Sequence, residues 1–283
     1  MRRLKAIVTA SVLVLGSAAY AQDQTGDPNA QPAQPPPPAG QATAAPSTGG
    51  MATGNWSSFL ERPLILVPLM AEPEFALNIG NNPAQTSEGL AIGFNMGVID
   101  KLQAGAAITF PVNPNADFGS FLVNAQYGVL DFANARLDLG ATKYSAGMTS
   151  STGFSFGIGL PLKYKLAPMF AVTSGSQYST AFGSDIFYLT AVSGATIWSF
   201  GVPIGILVQP HEMIALQARS GFRIVKVGDL DAAKYVPVGV DLFVNIIQMI
   251  DVFFTFELPG NTDAYSDERD FVIGARARFG GGK

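Results

Sequence analysis

The stretch that decides the fold is LQAGAAITF, residues 102–110, in which apolar side chains alternate with small or polar ones. The first set consists of Leu102, Ala104, Ala106, Ile108 and Phe110, and the second of Gln103, Gly105, Ala107 and Thr109. A period of two is typical of a β-strand, because successive side chains of a strand point to opposite faces. The same alternation returns in residues 121–129, 154–163, 236–246 and 271–279. The chain is therefore predicted to be all-β.

The connections between these strands alternate in predicted length along the chain. Short turns are predicted near residues 99–101, 130–134, 165–168, 209–212 and 247–250. Longer connections are predicted near residues 81–88, 111–119, 145–152, 177–185, 227–234 and 260–268. Alternating short turns and long loops, with strands of about ten residues, are typical of transmembrane barrels. We expect twelve strands, with ten or fourteen still open because residues 177–197 contain either one extended strand or an additional one.

The composition indicates which face of these strands meets lipid. Of the 283 residues, 48% are apolar and only 13% are charged, whereas a soluble domain carries about 25% charged residues. The polar face is mostly Gly, Ser, Thr, Asn and Gln, which suits a narrow wet interior better than a solvated surface. A sheet in hydrocarbon must also close, since an open edge would leave backbone groups unpaired. The sequence predicts a closed antiparallel up-and-down transmembrane β-barrel.

The amino terminus is typical of a secretory signal over residues 1–21. Three basic residues precede an apolar run over residues 6–15, and an A-x-A site ends at Ala21, so cleavage is predicted between Ala21 and Gln22. Removal of the three basic residues changes the charge count from 17 positive and 21 negative to 14 and 21, a net charge of −7. Nucleic acid is excluded as a partner because it calls for a clustered basic surface.

Two further segments precede the predicted barrel. Residues 22–54 contain seven prolines and no Leu, Ile, Val or aromatic residue, so we expect a disordered linker that acts as a spacer or a tether. Residues 55–73 are apolar but do not alternate, and Pro63, Pro68 and Pro73 interrupt them. We expect this segment to pack at the periplasmic end of the barrel. A plug in the lumen and a contact with a periplasmic partner remain as alternatives.

A resemblance to a known class rests on the predicted signal peptide, the alternating strands, the final aromatic-ended strand and two hairpins. GVIDKLQAG, residues 97–105, places Asp100-Lys101 in a short turn, and YGVLD, residues 127–131, opens the next hairpin in a similar way. The chain resembles Gram-negative outer-membrane β-barrel proteins, porin-like in architecture, over residues 74–279. The resemblance implies an outer-membrane location with the linker in the periplasm, and contact with membrane lipid and the barrel-assembly machinery. It implies no specific activity. Residues 280–283 form a short tail after the final aromatic residue.

The sequence offers few residues for catalytic chemistry. Cysteine is absent, and the single histidine, His211, lies in a predicted turn beside Glu212. Adjacent turn residues do not converge on a substrate, and no second histidine completes a metal site. The glycines of residues 153–159 lack the strand-to-helix context of a phosphate loop. The sequence predicts no enzyme, no cofactor and no metal.

Charged residues on the inward face are the remaining candidates for a functional site. By the parity of the strands, the lumen receives Glu74, Arg136, Asp138, Lys163, Arg219, Arg223, Asp241, Glu257, Arg276 and Arg278. They form either a selectivity ring or ion pairs that brace the wall. The first hypothesis for function is a narrow channel or passive transporter for small solutes. The alternative is a non-conducting barrel subunit that anchors an envelope-spanning machine for motility, secretion or polysaccharide export, with periplasmic partners bound through residues 22–73.

Overall fold

The computed structural model describes residues 58–82, 85–113, 119–146, 149–175, 185–192, 195–258 and 269–280. The predicted signal peptide with its cleavage site, the linker, residues 55–57 and residues 281–283 lie outside this set. No helix among the described residues is long and apolar enough to cross a membrane. The strands are β1 (Met70–Asn82), β2 (Gln85–Ile99), β3 (Leu102–Asn113), β4 (Ser120–Leu130), β5 (Ala133–Ala146), β6 (Thr149–Gly159), β7 (Lys163–Ala167), β8 (Phe170–Thr173), β9 (Asp185–Val192), β10 (Ala195–His211), β11 (Ile214–Val227), β12 (Ala233–Tyr235), β13 (Val238–Ile247), β14 (Ile250–Leu258), β15 (Arg269–Ala277) and β16 (Phe279–Gly280).

These strands form a closed antiparallel barrel with twelve positions in its wall. The wall closes where β15 pairs back onto β1, with Phe75 opposite Ala275 and Ile79 opposite Phe271. The predicted closed up-and-down barrel is therefore confirmed, as is its count of twelve. We call the rim with the tight turns β2–β3, β4–β5, β7–β8, β10–β11 and β13–β14 the short-turn end, and the opposite rim the far end.

Four of the wall positions are built from two strand pieces each: β6 with β7, β8 with β9, β12 with β13, and β15 with β16. Along one edge of β10, residues Gly205–Val208 pair with β8 and residues Ala195–Phe200 pair with β9, so β8 and β9 share a position. The β7 strand pairs with β8, and the neighbouring Leu162 bridges Ala133 of β5, which places β7 in line with β6.

Several connections at the far end differ from the predicted ones. The long connection expected at residues 177–185 falls between β8 and β9, which share one position, and the hairpin to the next position joins Val192 to Ala195. The described residues within 81–88 and 145–152 belong to β1, β2, β5 and β6. Ser87 of β2, for example, lies opposite Gly80 in the β1–β2 ladder. Small polar residues in a lumen-facing strand therefore resemble a loop in the sequence.

The two faces of the wall differ as the alternation predicts. On β10 the outward Val202, Ile204 and Ile206 are each more than half exposed, whereas the inward Ser199 and Gln209 are buried. An apolar exterior with a polar interior is the reverse of a soluble barrel and is typical of transmembrane barrels. The predicted outer-membrane-type architecture is confirmed.

The wall begins earlier and ends later than the sequence indicates. Residues 70–73, expected before the barrel, belong to β1, where Ala71 lies opposite Phe279 of β16. Gly280, expected in the tail, belongs to β16 as well. On one edge of β1, Met70 and Ala71 pair with β16, and pairing with β15 begins at Glu74. Pro73 lies in the gap between these two pairings, so the N–H donor that proline lacks is not missing from the ladder on this edge.

All five tight turns carry a register shift in the last paired residues, for example between Gly97 and Ile99 and between Asn245 and Ile247. Such bulges twist a strand end and re-aim its side chains. Ile99, Leu130 and Ile247 are each more than half exposed at these turns. The apolar exterior therefore continues to the rim of the short-turn end.

Candidate functional site: the closed mouth of the barrel

The mouth at the short-turn end is crossed by residues 58–69, which we call the strap. The strap starts beside β10, where the Ser58 hydroxyl donates to Gln209 Oε1 at 3.1 Å, and it ends beside β2, where Leu69 N donates to Gly97 O at 2.9 Å. These two strands lie on opposite sides of the twelve-position wall. The strap therefore spans the mouth from one side to the other.

Glutamine side chains of the wall accept hydrogen bonds from the backbone of the strap. Gln209 Oε1 accepts from Leu60 N at 3.0 Å, and Gln103 Oε1 accepts from Leu66 N at 2.9 Å. An amide N–H that is buried without a partner is costly, so these two contacts stabilise the strap in its place. The two glutamines belong to β10 and β3, which lie on different sides of the mouth.

Two further wall residues donate hydrogen bonds to carbonyl groups of the strap. The Gln126 amide donates to Leu64 O at 2.8 Å. The Lys163 ammonium donates to Phe59 O at 2.8 Å and also to the carbonyl of Arg62. Together with the two acceptors, these donors come from four positions of the wall. The wall thus supplies hydrogen-bond partners to both N–H and C=O groups of the strap backbone.

A charged latch, Arg62 with Asp251, joins the strap to β14. The Arg62 guanidinium donates to both carboxylate oxygens of Asp251, at 2.7 and 3.2 Å. Asp251 also accepts from Arg278 and from the Asn245 amide, the latter at 2.7 Å. The side chains of Arg62 and Asp251 are 6% and 2% exposed. Paired hydrogen bonds between a guanidinium and a carboxylate are among the strong, geometrically specific ones.

Two apolar side chains of the strap, Phe59 and Leu60, pack onto an apolar patch of the inner wall. Phe59 and Leu60 are buried, and the Phe59 ring lies 5.5 Å from the ring of Phe243. Phe243 is paired with Phe253 on the neighbouring strand. The patch is completed by Ala76, Ala171, Leu207, Ala215 and Val272. The Arg62 guanidinium lies 4.2 Å from the centre of the Phe59 ring, a cation–π distance. Polar anchors and apolar packing therefore hold the same segment.

The seam between the last and first strands carries a second set of ion pairs. Arg276 pairs with Glu72 at 3.2 Å and with Glu74, and Arg278 pairs with Glu72 at 2.8 Å. Since Arg278 also pairs with Asp251, the seam and the latch form one network. This network contains three arginines and three carboxylates, so its formal charges balance.

The middle of the lumen holds another group of paired charges. Arg219 pairs with Asp241 at 2.9 Å and with Glu257 at 2.5 Å, and all three side chains are 2% exposed or less. Arg136 pairs with Asp138 at 2.7 Å. Asp241 lies on β13, next to the β11 strand of Arg219, and Glu257 lies one strand further, on β14. Arg136 and Asp138 lie on the same strand. Both signs of charge are therefore side by side on the inner face.

The ten predicted lumen charges thus fall into three places. Lys163 lies under the strap, and Glu74, Arg276 and Arg278 lie at the seam. The remaining six lie elsewhere on the inner face, where Arg223 donates to the Ser199 hydroxyl oxygen at 3.3 Å. The structure does not bring all ten together into one ring. Whether any of them selects a solute stays a prediction.

Inner-face glycines leave room for the large side chains of neighbouring strands. A Cβ added at Gly239 would lie 2.8 Å from Arg219 Cζ, and one added at Gly274 would lie 2.7 Å from Phe253 Cε2. The space beside these glycines is therefore occupied by side chains. A hollow beside Arg219 and Gly239 leaves no room for the centre of a water-sized sphere, so it is not a ligand pocket of ordinary size.

His211 lies at the turn between β10 and β11, as predicted. Its Nδ1 accepts from Met213 N at 3.2 Å, which is a local turn contact. Among the described residues, no group of three or more His, Cys, Asp or Glu side chains is arranged to hold a metal ion.

Sequence reasoning misses the residues that hold the strap. Arg62, Glu72 and Asp251 are not among the ten predicted charges. The parity of β14 does place Asp251 inward, on the same side as Phe253, so a signal for this residue is present in the sequence. The glutamines that contact the strap resemble any other polar lining residue. Their role depends on knowing where residues 58–69 lie.

Comparison with known proteins gives matches in fold. No family model matches the chain, and no curated protein matches it. One matching structure is a KdgM porin in complex with disordered oligogalacturonate, at 6% identity and a TM-score of 0.47, covering 74% of this chain and 99% of that one. Another is the translocator domain of the autotransporter NalP from Neisseria meningitidis, at 10% identity and 0.45, covering 75% and 88%. A third is a bacterial polysaccharide outer membrane secretin, at 9% identity and 0.43, covering 76% and 99%. At these values the matches carry no argument about function.

Proposed function

We propose that the protein is a structural barrel of the Gram-negative outer membrane that does not conduct solutes while its strap is seated. In this arrangement the short-turn end faces the periplasm. Residues 22–57 immediately precede the strap in the sequence, and in this arrangement they are available to a periplasmic partner. The barrel anchors that extension in the outer membrane. The proposed role is non-enzymatic.

The observation that carries this proposal is the filling of the mouth. The strap crosses the mouth and is held by the buried Arg62–Asp251 pair. Further into the lumen, Asp241 and Glu257 are 0% exposed and paired with Arg219. The charged groups that line an open pore would be in contact with water. Arg219, Asp241 and Glu257 are instead buried and paired with each other, as expected of ion pairs that brace a closed interior.

A narrow channel for small solutes is the second candidate, and the polar inner face favours it. Four of the wall contacts to the strap are made to backbone groups, by Gln103, Gln126, Lys163 and Gln209. Water can replace such contacts if the strap leaves. A channel would therefore require a state in which the strap has moved.

Planar-bilayer recording on the purified full-length mature protein tests the proposal. We expect no discrete conductance steps across a range of salts and voltages. Steps in the unmodified protein would overturn the closed-barrel proposal and support the channel. An Arg62→Ala variant adds information: silence in the wild type with steps in this variant would indicate a channel held shut by the strap.

Cross-linking in native membranes tests the anchoring role. We expect a partner set that depends on residues 22–57 and is lost when they are deleted, with the barrel still inserted. An unchanged set of cross-linked proteins after this deletion would contradict the proposed tether. Contacts with the barrel-assembly machinery are expected during insertion and serve as the control that the deletion variant matured normally.

A further inference from the structure

Two lysines face outward together at the far end of the barrel. On β11 the outward face includes Phe222, which is 41% exposed. Lys226 has the same parity as Phe222 and therefore points the same way. On the neighbouring β12, Lys234 lies opposite Ile224, another residue of this outward face. Both ammonium groups thus belong to the exterior of the wall.

The two lysines are close for like charges. With Lys234 opposite Ile224, Lys226 is its diagonal neighbour, and such pairs have Cα atoms about 7–8 Å apart. Like charges at this spacing repel unless an anion lies between them. Asp229 and Asp231 are in the connecting loop, but among the described ion pairs no carboxylate lies within 4.0 Å of either lysine. The position is suited to an external anion.

A tryptophan adjoins the pair on its other side. Trp198 of β10 lies directly opposite Lys226 of β11, so the two side chains share the outward face. Tryptophan is typical of the membrane–water interface, where its ring packs against lipid and its indole N–H donates to polar groups. Lys234, Lys226 and Trp198 therefore form a row across three adjacent wall strands, at the level where headgroups meet the barrel.

We infer that this row, Trp198, Lys226 and Lys234, binds the phosphate of a phosphorylated lipid headgroup in the outer leaflet. The inference rests on the proposed outer-membrane location, since that places this rim against the outer leaflet. The two ammonium groups neutralise the phosphate, and the indole supplies a hydrogen bond and an apolar contact to the lipid. A lipid is favoured over free phosphate because the row faces the membrane and not the lumen.

Native mass spectrometry of the detergent-solubilised full-length mature protein tests this. Diphosphoryl lipid A, its dephosphorylated form and inorganic phosphate are the probes. We expect the diphosphoryl form to bind to the wild type. The Lys226→Gln, Lys234→Gln double variant should bind it roughly thirtyfold more weakly. Each lysine near an anionic surface contributes about 1 kcal/mol, and each 1.4 kcal/mol corresponds to about a tenfold loss of affinity. Lys101→Gln, a single change at the opposite rim, is the matched control and should leave binding unchanged.

Three results would overturn the inference. The first is equal binding of diphosphoryl lipid A by the double variant and the wild type, with the barrel shown to be folded by its heat-dependent gel mobility. The second is equal binding of the dephosphorylated lipid. The third is equal competition by inorganic phosphate, which would indicate an anion site without lipid specificity. Because this binding is measured on isolated protein, a failure here is distinguishable from a failure of the closed-barrel proposal, which is decided by conductance.

Discussion

Removal of the Arg62 guanidinium should release the strap while leaving the wall intact. Arg62 and Asp251 are both buried, and breaking such a pair by deleting one partner costs about 3–5 kcal/mol. Asp251 keeps Arg278 and the Asn245 amide, so we expect a value near the lower limit. For Arg62→Ala we therefore expect the free energy of strap opening to fall by about 3 kcal/mol.

Amide hydrogen exchange measures that opening directly. The reporters are Leu60 N and Leu66 N, which donate to Gln209 and Gln103 of the wall. A loss of about 3 kcal/mol corresponds to an exchange rate at these amides roughly 150-fold faster. Amides in the middle of the wall should keep their protection, because their ladder bonds do not involve the strap.

Lys165→Gln is the matched control. Lys165 also pairs with the strap, through Glu61, but the two side chains are 41% and 51% exposed. An exposed pair contributes about 0–1 kcal/mol, so exchange at the two reporter amides should rise no more than about fivefold. If Arg62→Ala accelerates these amides no more than Lys165→Gln does, the buried latch is not what seats the strap.

Three further predictions concern the strap, the lumen and the lipid face. Gly97→Ala should lift the strap from β2, because an added Cβ would lie 2.6 Å from Leu66 O; exchange at Leu66 N should increase while the circular dichroism of the wall stays unchanged. Arg219→Ala should lower the free energy of unfolding by about 3–5 kcal/mol, since it leaves two fully buried carboxylates without their arginine. Denaturant titration in micelles measures this change, and Arg269→Ala, which removes an exposed arginine, is the control. Val202→Lys should cost about 2–4 kcal/mol for folding into bilayers, because Val202 faces outward in the middle of β10; an unchanged folding yield would contradict the lipid-facing assignment.

The wall was predictable from sequence because its physics is local. Alternation along a strand assigns each side chain to a face, so Val240 is correctly placed outside and Arg219 inside without knowledge of any partner. Tight turns such as Asp100-Lys101 are visible for the same reason. The far end was less predictable, because a lumen-facing Gly80 or Ser87 has the same chemistry as a loop residue.

The position of the strap across the mouth was not predictable in the same way. Arg62 and Asp251 are 189 residues apart, and no pattern near either one identifies the other. The strap does not alternate, so parity assigns it no face and could not decide among end packing, a plug and a partner contact. Only the three-dimensional closure of the wall brings Gln103, Asp251 and Gln209 around the same segment.

The order in which the strap's partners emerge from the chain has a consequence for biogenesis. The strap precedes every strand, yet its contacts reach Gln103 at a separation of 37 residues, Gln209 at 149 and Asp251 at 189. Contacts this distant in sequence form late, because the intervening chain must be ordered first. The full set of strap contacts can therefore form only when β14 and the seam with Arg278 are already assembled. A strap joined to Asp251 marks a completed barrel, and a chain truncated before Asp251 would lack the latch.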